Sequence, residues 1–404
     1  MRTPRIPVAG PVAAVALAVA FTAADPASAT ETCDPIVLGA ALSLTGRYGE
    51  EGVHTKNGYE YAIRKIDEAG GIVVAGTCHR FEILYYDDES RAERATTLAE
   101  RLIVQDGVRY MLGPYSSGLT KAVVPVTEQY AIPMVQAQGA SRSLFNRGYR
   151  SLFAVLSTSE QYLASAVTLA AERAVENGGR ASDVRVAIAV ENDPFSLDVR
   201  AGVLDETLPR DMEDMGAILT RVRQIDPDIL LVSGHLEGAR LAVRQIEEMG
   251  IDTPMVALTH CEAADVTGRF GAAADGVLCA TQWAATLLYE DPVFGTAADF
   301  EKGFRDAFVE YTDTAMPYQV AQAAAAVQVF KDAFERAGTL DKDAVRDALA
   351  TTDLTGFYGP IRFSRTGTNI AKPMVLRQIR NGTYTVVAPS AFASHALEWP
   401  RTGE

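Results

Sequence analysis

Val108-Arg109-Tyr110-Met111-Leu112-Gly113-Pro114-Tyr115-Ser116-Ser117-Gly118 is a short apolar run that breaks at Gly-Pro and restarts through paired serines into a segment with helical apolar spacing. It predicts a strand, a tight turn and a helix whose first N–H groups have no acceptor one turn back. Such an end carries hydroxyls and the positive pole of the helix dipole, so it receives a carboxylate or phosphate without any basic residue. The same serines equally suit a plain N-cap, in which Ser116 or Ser117 closes its own helix and nothing more.

The surrounding pattern bears on that choice. Ile36 to Gly46 is another apolar run ending in polar turn residues, followed by a helical pattern through Ile66. Leu84 to Asp88 and Ile132 to Val135 read as further strands, with helical patterns over Ala92 to Val104 and Thr120 to Tyr130 between them. Alternation of this kind predicts a parallel sheet with helices on both faces, whose ligands lie at the carboxyl ends of the strands. Tyr48, Tyr115, Ser116, Ser117 and the turn Gln138-Gly139-Ala140-Ser141 all follow strands and can face one cleft.

A second series repeats the pattern. Ser159 to Glu176 is helical in spacing, Val184 to Val190, Ile229 to Val232 and Met255 to Leu258 are strands, and Glu237 to Met249 is a helix between the last two. The loops that follow these strands are Asn192-Asp193-Pro194-Phe195-Ser196, Ser233-Gly234-His235 and Thr259-His260-Cys261-Glu262. Two α/β lobes with such loops predict a clamshell that holds a small molecule between them.

With 404 residues, 48% of them hydrophobic and 22% charged, the chain is long enough for two cored domains. Arg2 and Arg5, an apolar stretch from Val8 to Ala24 and then Ala27-Ser28-Ala29 have the form of a secretory signal over residues 1–29. No lipidation site of the Leu-x-Gly-Cys kind precedes Cys33, so the expected product is an unanchored periplasmic protein beginning near Thr30. The formal charge of −15 becomes more negative by one when Arg2, Arg5 and Asp25 leave. An acidic surface argues against nucleic acid or an anionic membrane as partner.

Cys33, Cys78, Cys261 and Cys279 would all enter an oxidising compartment. Cys33 and Cys78 each precede a strand, and Cys261 and Cys279 flank Ala263 to Gly276 at successive strand ends. Of the possible pairings, Cys33 with Cys78 and Cys261 with Cys279 is the local one. His260-Cys261-Glu262 lacks a second ligand pair at zinc spacing, so no metal is expected there. The chain has no G-x-S-x-G elbow, no G-x-x-x-x-G-K-[ST] loop and no H-E-x-x-H pair, and no catalytic residue or cofactor is assigned.

Leu42-Ser43-Leu44-Thr45-Gly46 with Gly52, Tyr86-Asp87-Asp88, Leu112-Gly113-Pro114-Tyr115-Ser116-Ser117 and Phe357-Tyr358-Gly359-Pro360-Ile361-Arg362-Phe363 before Gly367 stand in a specific order from Ile36 to about Pro389. In this the chain resembles the type I periplasmic solute-binding proteins of ABC importers, in their branched-chain amino acid and amide group. The resemblance implies two Rossmann-like lobes with parallel central sheets and a hinge of three crossovers, near Ala154, Ala284 and Phe357. Lobe one would be residues 30–153 with 285–356, and lobe two 154–284 with 357–404. It also implies a monomer that delivers a small carboxylate-bearing solute, an aliphatic or aromatic amino acid, to membrane permease and ATPase subunits, or a sensor of the same fold that signals to another partner.

The resemblance further implies site roles. Ser116 or Ser117 would receive the ligand carboxylate, and Gln138 to Ser141 would supply further contacts. Phe195 would place a ring over the ligand, and His235 would be a second contact in lobe two. Relatives that bind aliphatic amino acids supply an acid for the ammonium group where this chain has Thr259 or His260, with Glu262 close by. If Glu262 does not reach the cleft, the ligand is expected to be an amine-free aromatic or keto acid, with His260 as donor. Relatives also place a strand between the helices that precede and follow Asp205-Glu206-Thr207-Leu208-Pro209, and the shortness of this link predicts that the strand is missing.

Overall fold

Two sheets organise the chain. The computed structural model describes residues 33–201, 207–208 and 214–400, so the expected signal sequence lies outside it. The first sheet contains β1 (Asp34–Leu42), β2 (Ile72–Val74), β3 (Thr77–Asp87), β4 (Met111–Leu112), β5 (Met134–Gln136) and β6 (Leu152–Ala154) in the order β2-β3-β1-β4-β5-β6. Helices α1 (Gly49–Glu68), α2 (Ala92–Val104) and α3 (Ser117–Gln129) connect its strands. Unbroken burial of β1 from Leu38 to Leu42 is what a parallel strand covered on both faces requires.

The second sheet runs β17-β16-β11-β10-β9-β7-β8. Its strands β7 (Val186–Glu191), β8 (Thr207–Leu208), β9 (Ile229–Ser233), β10 (Met255–Leu258) and β11 (Leu278–Thr281) alternate with α4 (Ala164–Glu176), α5 (Pro194–Ala201), α6 (Gly216–Ile225), α7 (Leu236–Glu248) and α8 (Val266–Phe270). The chain then makes a small hairpin of β12 (Glu290–Asp291) and β13 (Gly295–Thr296) before α9 (Ala297–Ala307), α10 (Tyr318–Ala337) and α11 (Lys342–Ala350). A hairpin of β14 (Asp353–Gly356) and β15 (Gly359–Arg362) leads to β16 (Val375–Arg380) and β17 (Thr383–Ala388). Small side chains let α10 lie against the first sheet's helix α1, and it is buried from Tyr318 through Phe330.

Three differences from the sequence reading have physical causes. Strand β3 starts at Thr77, seven residues before Leu84, because β2 and β3 form a hairpin through Ala75 and Gly76, both at positive φ, as a type I′ turn needs. The sheets are mixed rather than wholly parallel, since β2, β16 and β17 pair antiparallel at the edges. The strand expected to be missing exists: β8 pairs parallel with Val190 and Glu191 of β7 at the sheet edge. Two residues of ladder leave no apolar run in the sequence for the eye to find.

Both local disulfides form. In the parallel register Asp34 lies opposite His79, so Cys33 and Cys78 meet one step earlier. Leu258 lies opposite Cys279, which brings Cys261, three residues past Leu258, within reach.

Three stretches of chain that run between the sheets are tied to one another. Ser157 N–H donates to Gln282 Oε1 at 3.0 Å and Gln282 Nε2 returns a bond to the Ser157 carbonyl at 3.2 Å. Ser157 Oγ donates to the Lys372 carbonyl at 2.9 Å, Asn369 Nδ2 to the Val155 carbonyl at 2.8 Å, and Trp283 Nε1 to the Phe357 carbonyl at 3.0 Å.

Candidate functional site

The turn after β4 places Ser116 at the N-cap of α3, with φ 70° and ψ 153°. This is a backbone region that side chains rarely enter, and such strain persists where the surroundings enforce it. Ser116 Oγ accepts from Leu119 N–H and its carbonyl from Thr120 N–H at 3.1 Å. As the first two helical residues, Ser117 and Gly118 carry N–H groups that the helix itself cannot take up. The helix end opens on a cavity of about 350 Å³ lined by Ser116, Gly118, Arg47, Tyr48, Asp193 and His235 among others. Both sheets therefore contribute walls to it.

On the second-sheet side, Asp193 follows β7 and caps α5: its Oδ1 accepts from Phe195 N–H at 2.8 Å and Ser196 N–H at 3.2 Å. His235 follows β9 as the N-cap residue of α7, its Nε2 3.6 Å from Asp193 Oδ1 and its Nδ1 3.3 Å from the Tyr115 hydroxyl. His235 N–H donates to Glu191 Oε1, and Leu236 N–H donates to Glu51 Oε1 across from α1. Glu191 also pairs with Arg47 at 2.8 Å. Burial alone would lower the His235 pKa, but Asp193, Glu191 and Glu51 outweigh it and hold the value above the ordinary one. Burial would raise Asp193, yet His235 and the helix-cap bonds keep it at about 2. Glu51 and Glu191 are raised by burial, which the nearby positive charge only partly offsets.

Rings enclose His235. Tyr48, Tyr115, Phe195 and His260 have centroids 5.0, 5.8, 5.5 and 5.2 Å from it. Phe195 also meets Tyr162 edge-on at 5.1 Å, and His260 lies 6.1 Å from Tyr318. His260, at φ 61°, is kept neutral by burial and by His235, with its pKa down to about 3, and its Nδ1 has no hydrogen-bond partner.

The residues named from sequence thus fall into groups. Tyr48, Ser116 and His235 line the cavity, and Tyr115, Phe195 and His260 pack against His235 without lining it. Ser117 Oγ accepts from Ser141 N–H at 3.0 Å, and Ser141 Oγ bonds Asp198 of α5, so this pair ties α3 to the second sheet's side. Gln138 is taken up by α10, through the Gln319 carbonyl and Gln322. Gly139 sits where any Cβ would press on Thr120, and the Ala140 carbonyl accepts from Ser159 N–H. Glu262 is buried in an ion pair with Arg377 of β16 and does not line the cavity.

Arg47, Glu51, Glu191 and Lys121 were not singled out from sequence, and Asp193 was quoted only as part of its loop. The signal for Asp193 lies in Asp193-Pro194-Phe195-Ser196, an Asx residue before a proline that opens a helix.

A family model described as periplasmic binding protein matches residues 35–383. The leucine-, isoleucine-, valine-, threonine- and alanine-binding protein of Pseudomonas aeruginosa is 24% identical, over 84% of this chain and 89% of its own length. The Leu/Ile/Val-binding protein BraC3 of Rhizobium johnstonii is 25% identical, over 82% and 88%. Among solved structures, the branched-chain amino acid transporter substrate binding protein LivJ from Streptococcus pneumoniae, in complex with isoleucine, superposes with a TM-score of 0.72 at 21% identity, over 88% of this chain and 100% of that one. A solute binding protein of an ABC transporter from R. palustris, in complex with benzoate, gives 0.71 at 17% identity, over 90% and 98%. The chain therefore belongs to the periplasmic binding proteins, a family of binding proteins and not of enzymes.

Proposed function

We propose that this protein captures a small carboxylate-bearing solute in an extracytoplasmic space and delivers it to the permease of an ABC importer. The observation that carries the reading is the N-terminus of α3 opening on the cavity that both sheets wall. A carboxylate there meets the Ser117 and Gly118 N–H groups and the positive end of a helix of 13 residues, which together replace its hydration. Lys121, exposed on the same wall, adds long-range attraction to an anion in a chain of formal charge −15.

In this reading the two sheets are the cores of two lobes, the laced stretches near Ala154, Gln282 and Phe357 are the hinge, and the contacts of Arg47 and Glu51 with the second lobe belong to the closed form. Solute shifts the balance toward closure only through contacts it makes better there. Relatives of this fold include one crystallised with isoleucine and one with benzoate, so the fold itself leaves both amine-bearing and amine-free acids open. Calorimetric titration with the twenty protein amino acids, benzoate and 3-phenylpropanoate tests the reading. At least one acid should bind in the micromolar range or tighter, and its primary amide at least tenfold more weakly. Equal affinity for acid and amide would remove the carboxylate from the α3 end.

A further inference from the structure

We infer that Glu51 is a latch between the two lobes, capping α7 from across the cleft, and that closing on solute draws a proton from solution onto its carboxyl group. The inference rests on the reading above that the lobes close on a solute. Helix α7 has 13 residues, and the side chain of its N-cap residue His235 makes no capping bond. Two carboxylates take that place. Glu191 Oε1, on the same sheet, accepts from His235 N–H, and Glu51 Oε1, from the first turn of α1, accepts from Leu236 N–H at 3.4 Å. Leu236 opens α7, so its N–H is one that the helix cannot take up itself. Glu51 is 1% exposed, its Oε2 has no hydrogen-bond partner, and it does not line the cavity. It is therefore a positioning residue, which acts on solute by holding α7 and His235 in place.

Charge decides where the proton goes. Asp193, Glu191 and His235 stand at strand ends of the second sheet and stay together when the lobes part, whereas Glu51 and Arg47 come from the first. Once joined, the three carboxylates face two cations, His235 and Arg47, in a place that water leaves. One negative charge is in excess, and burying it costs more than burying a neutral acid. The other groups about Glu51 supply no further cation. On α1, Glu50 adds negative charge and engages Arg240 of α7, and His54 is held neutral at about 4 by burial and by Arg240. Tyr48 presents its ring to His235, burial keeps the Tyr115 phenol protonated, and His260 is neutral at about 3. Among the acids, Asp193 stays ionised because His235 and its helix-cap bonds hold it at about 2 despite burial, and Glu191 has Arg47 at 2.8 Å. Glu51 has one backbone N–H and the charge of His235, which burial outweighs, so its carboxyl is pushed above the ordinary 4.5. Opening returns Glu51 to water and the proton to solution.

The experiment is calorimetric titration with whichever of the twenty amino acids, benzoate and 3-phenylpropanoate binds best, in buffers of different ionisation enthalpy. The pH runs from neutral down to about one unit above the ordinary carboxylate value, where the solute's own carboxylate is mostly ionised. The slope of heat against buffer enthalpy counts the protons taken up. The expected result is an uptake approaching about one proton, with affinity rising about threefold to tenfold for each unit the pH falls. Glu51→Gln keeps an oxygen for Leu236 N–H and needs no proton. It should bind without uptake, at an affinity that no longer follows pH and that exceeds the unmodified protein's at neutral pH by at least about threefold. A merely structural Glu51 would make the variant weaker at every pH, which overturns the inference. Heats independent of the buffer overturn it even if the variant fails to fold, and so does uptake that persists in the folded variant. Binding without proton uptake removes this inference alone, whereas no binding by any acid removes the capture reading with it.

Discussion

At the scale of single residues, His235 is where ligand geometry and proton binding meet. It sits against Asp193, Glu191 and Glu51, with Tyr115 on its other nitrogen and the neutral His260 ring beside it. Its folded pKa is raised, so the folded chain holds this proton where the unfolded one has released it. Stability from this source is fully present below the ordinary histidine value and is lost as pH rises through the raised one. Glu51 and Glu191 are raised as well and act in the same direction from the carboxylate range upward. Buried Lys372 opposes them: its pKa is pushed down to about 7, so between there and 10.5 the unfolded state binds the extra proton and its contribution to stability grows with pH. His235→Gln should therefore shallow the fall in Tm as pH rises above the ordinary histidine value, as calorimetric melts at several pH values would show. An unchanged profile would mean that His235 does not carry the proton.

At the scale of elements, each disulfide closes its link at a strand register. Chain-entropy arguments put the Cys33–Cys78 bridge, which spans 45 residues, at about 4 kcal/mol and the Cys261–Cys279 bridge, which spans 18, at about 3 kcal/mol. Replacing Cys33 and Cys78 together by serine should lower Tm more than replacing Cys261 and Cys279, in melts run with and without reductant. The reverse order would show that native-state packing around Cys261, wholly inside the second sheet's core, outweighs loop length. Elements with a full period were legible in the sequence: α2 over Ala92 to Val104 and β10 over Met255 to Leu258 carry their own apolar pattern. What was not legible depends on partners distant in the chain. The hairpin that lengthens β3 turns on φ at Ala75, and β8 is defined only by its ladder to β7. Glu262 looked free for a ligand because Arg377, more than a hundred residues later, could not be placed beside it. Ser116, Tyr48 and His235, which line the cavity, were named because they follow strands. The acids Asp193, Glu191 and Glu51 gained meaning only when His235 was seen among them.

For the whole molecule, the contacts between the halves divide by position. Arg47, which pairs with Glu191, lines the cavity, while Glu50 with Arg240 at 3.0 Å and Ser141 with Asp198 join the halves around it. The Arg240 and Glu50 pair is partly exposed and is worth about 1 kcal/mol at most. Glu50→Ala should therefore weaken every bound solute by up to about fivefold, through the closed form alone, and leave the ranking of solutes unchanged. Competition titrations against the best binder measure both, and a reordered ranking would place Glu50 in recognition.

The lacing of the three stretches by Gln282, Ser157 and Asn369 carries a consequence for how such a protein diverges. A pivot whose bonds survive the swing contributes equally to both positions and cancels from their difference. The balance between gaping and shut is then written at the rim, in ion pairs that tolerate exchange. On the proposed function, descendants of this chain would retune their grip on a solute by trading surface charges while the vocabulary of the pocket stays fixed.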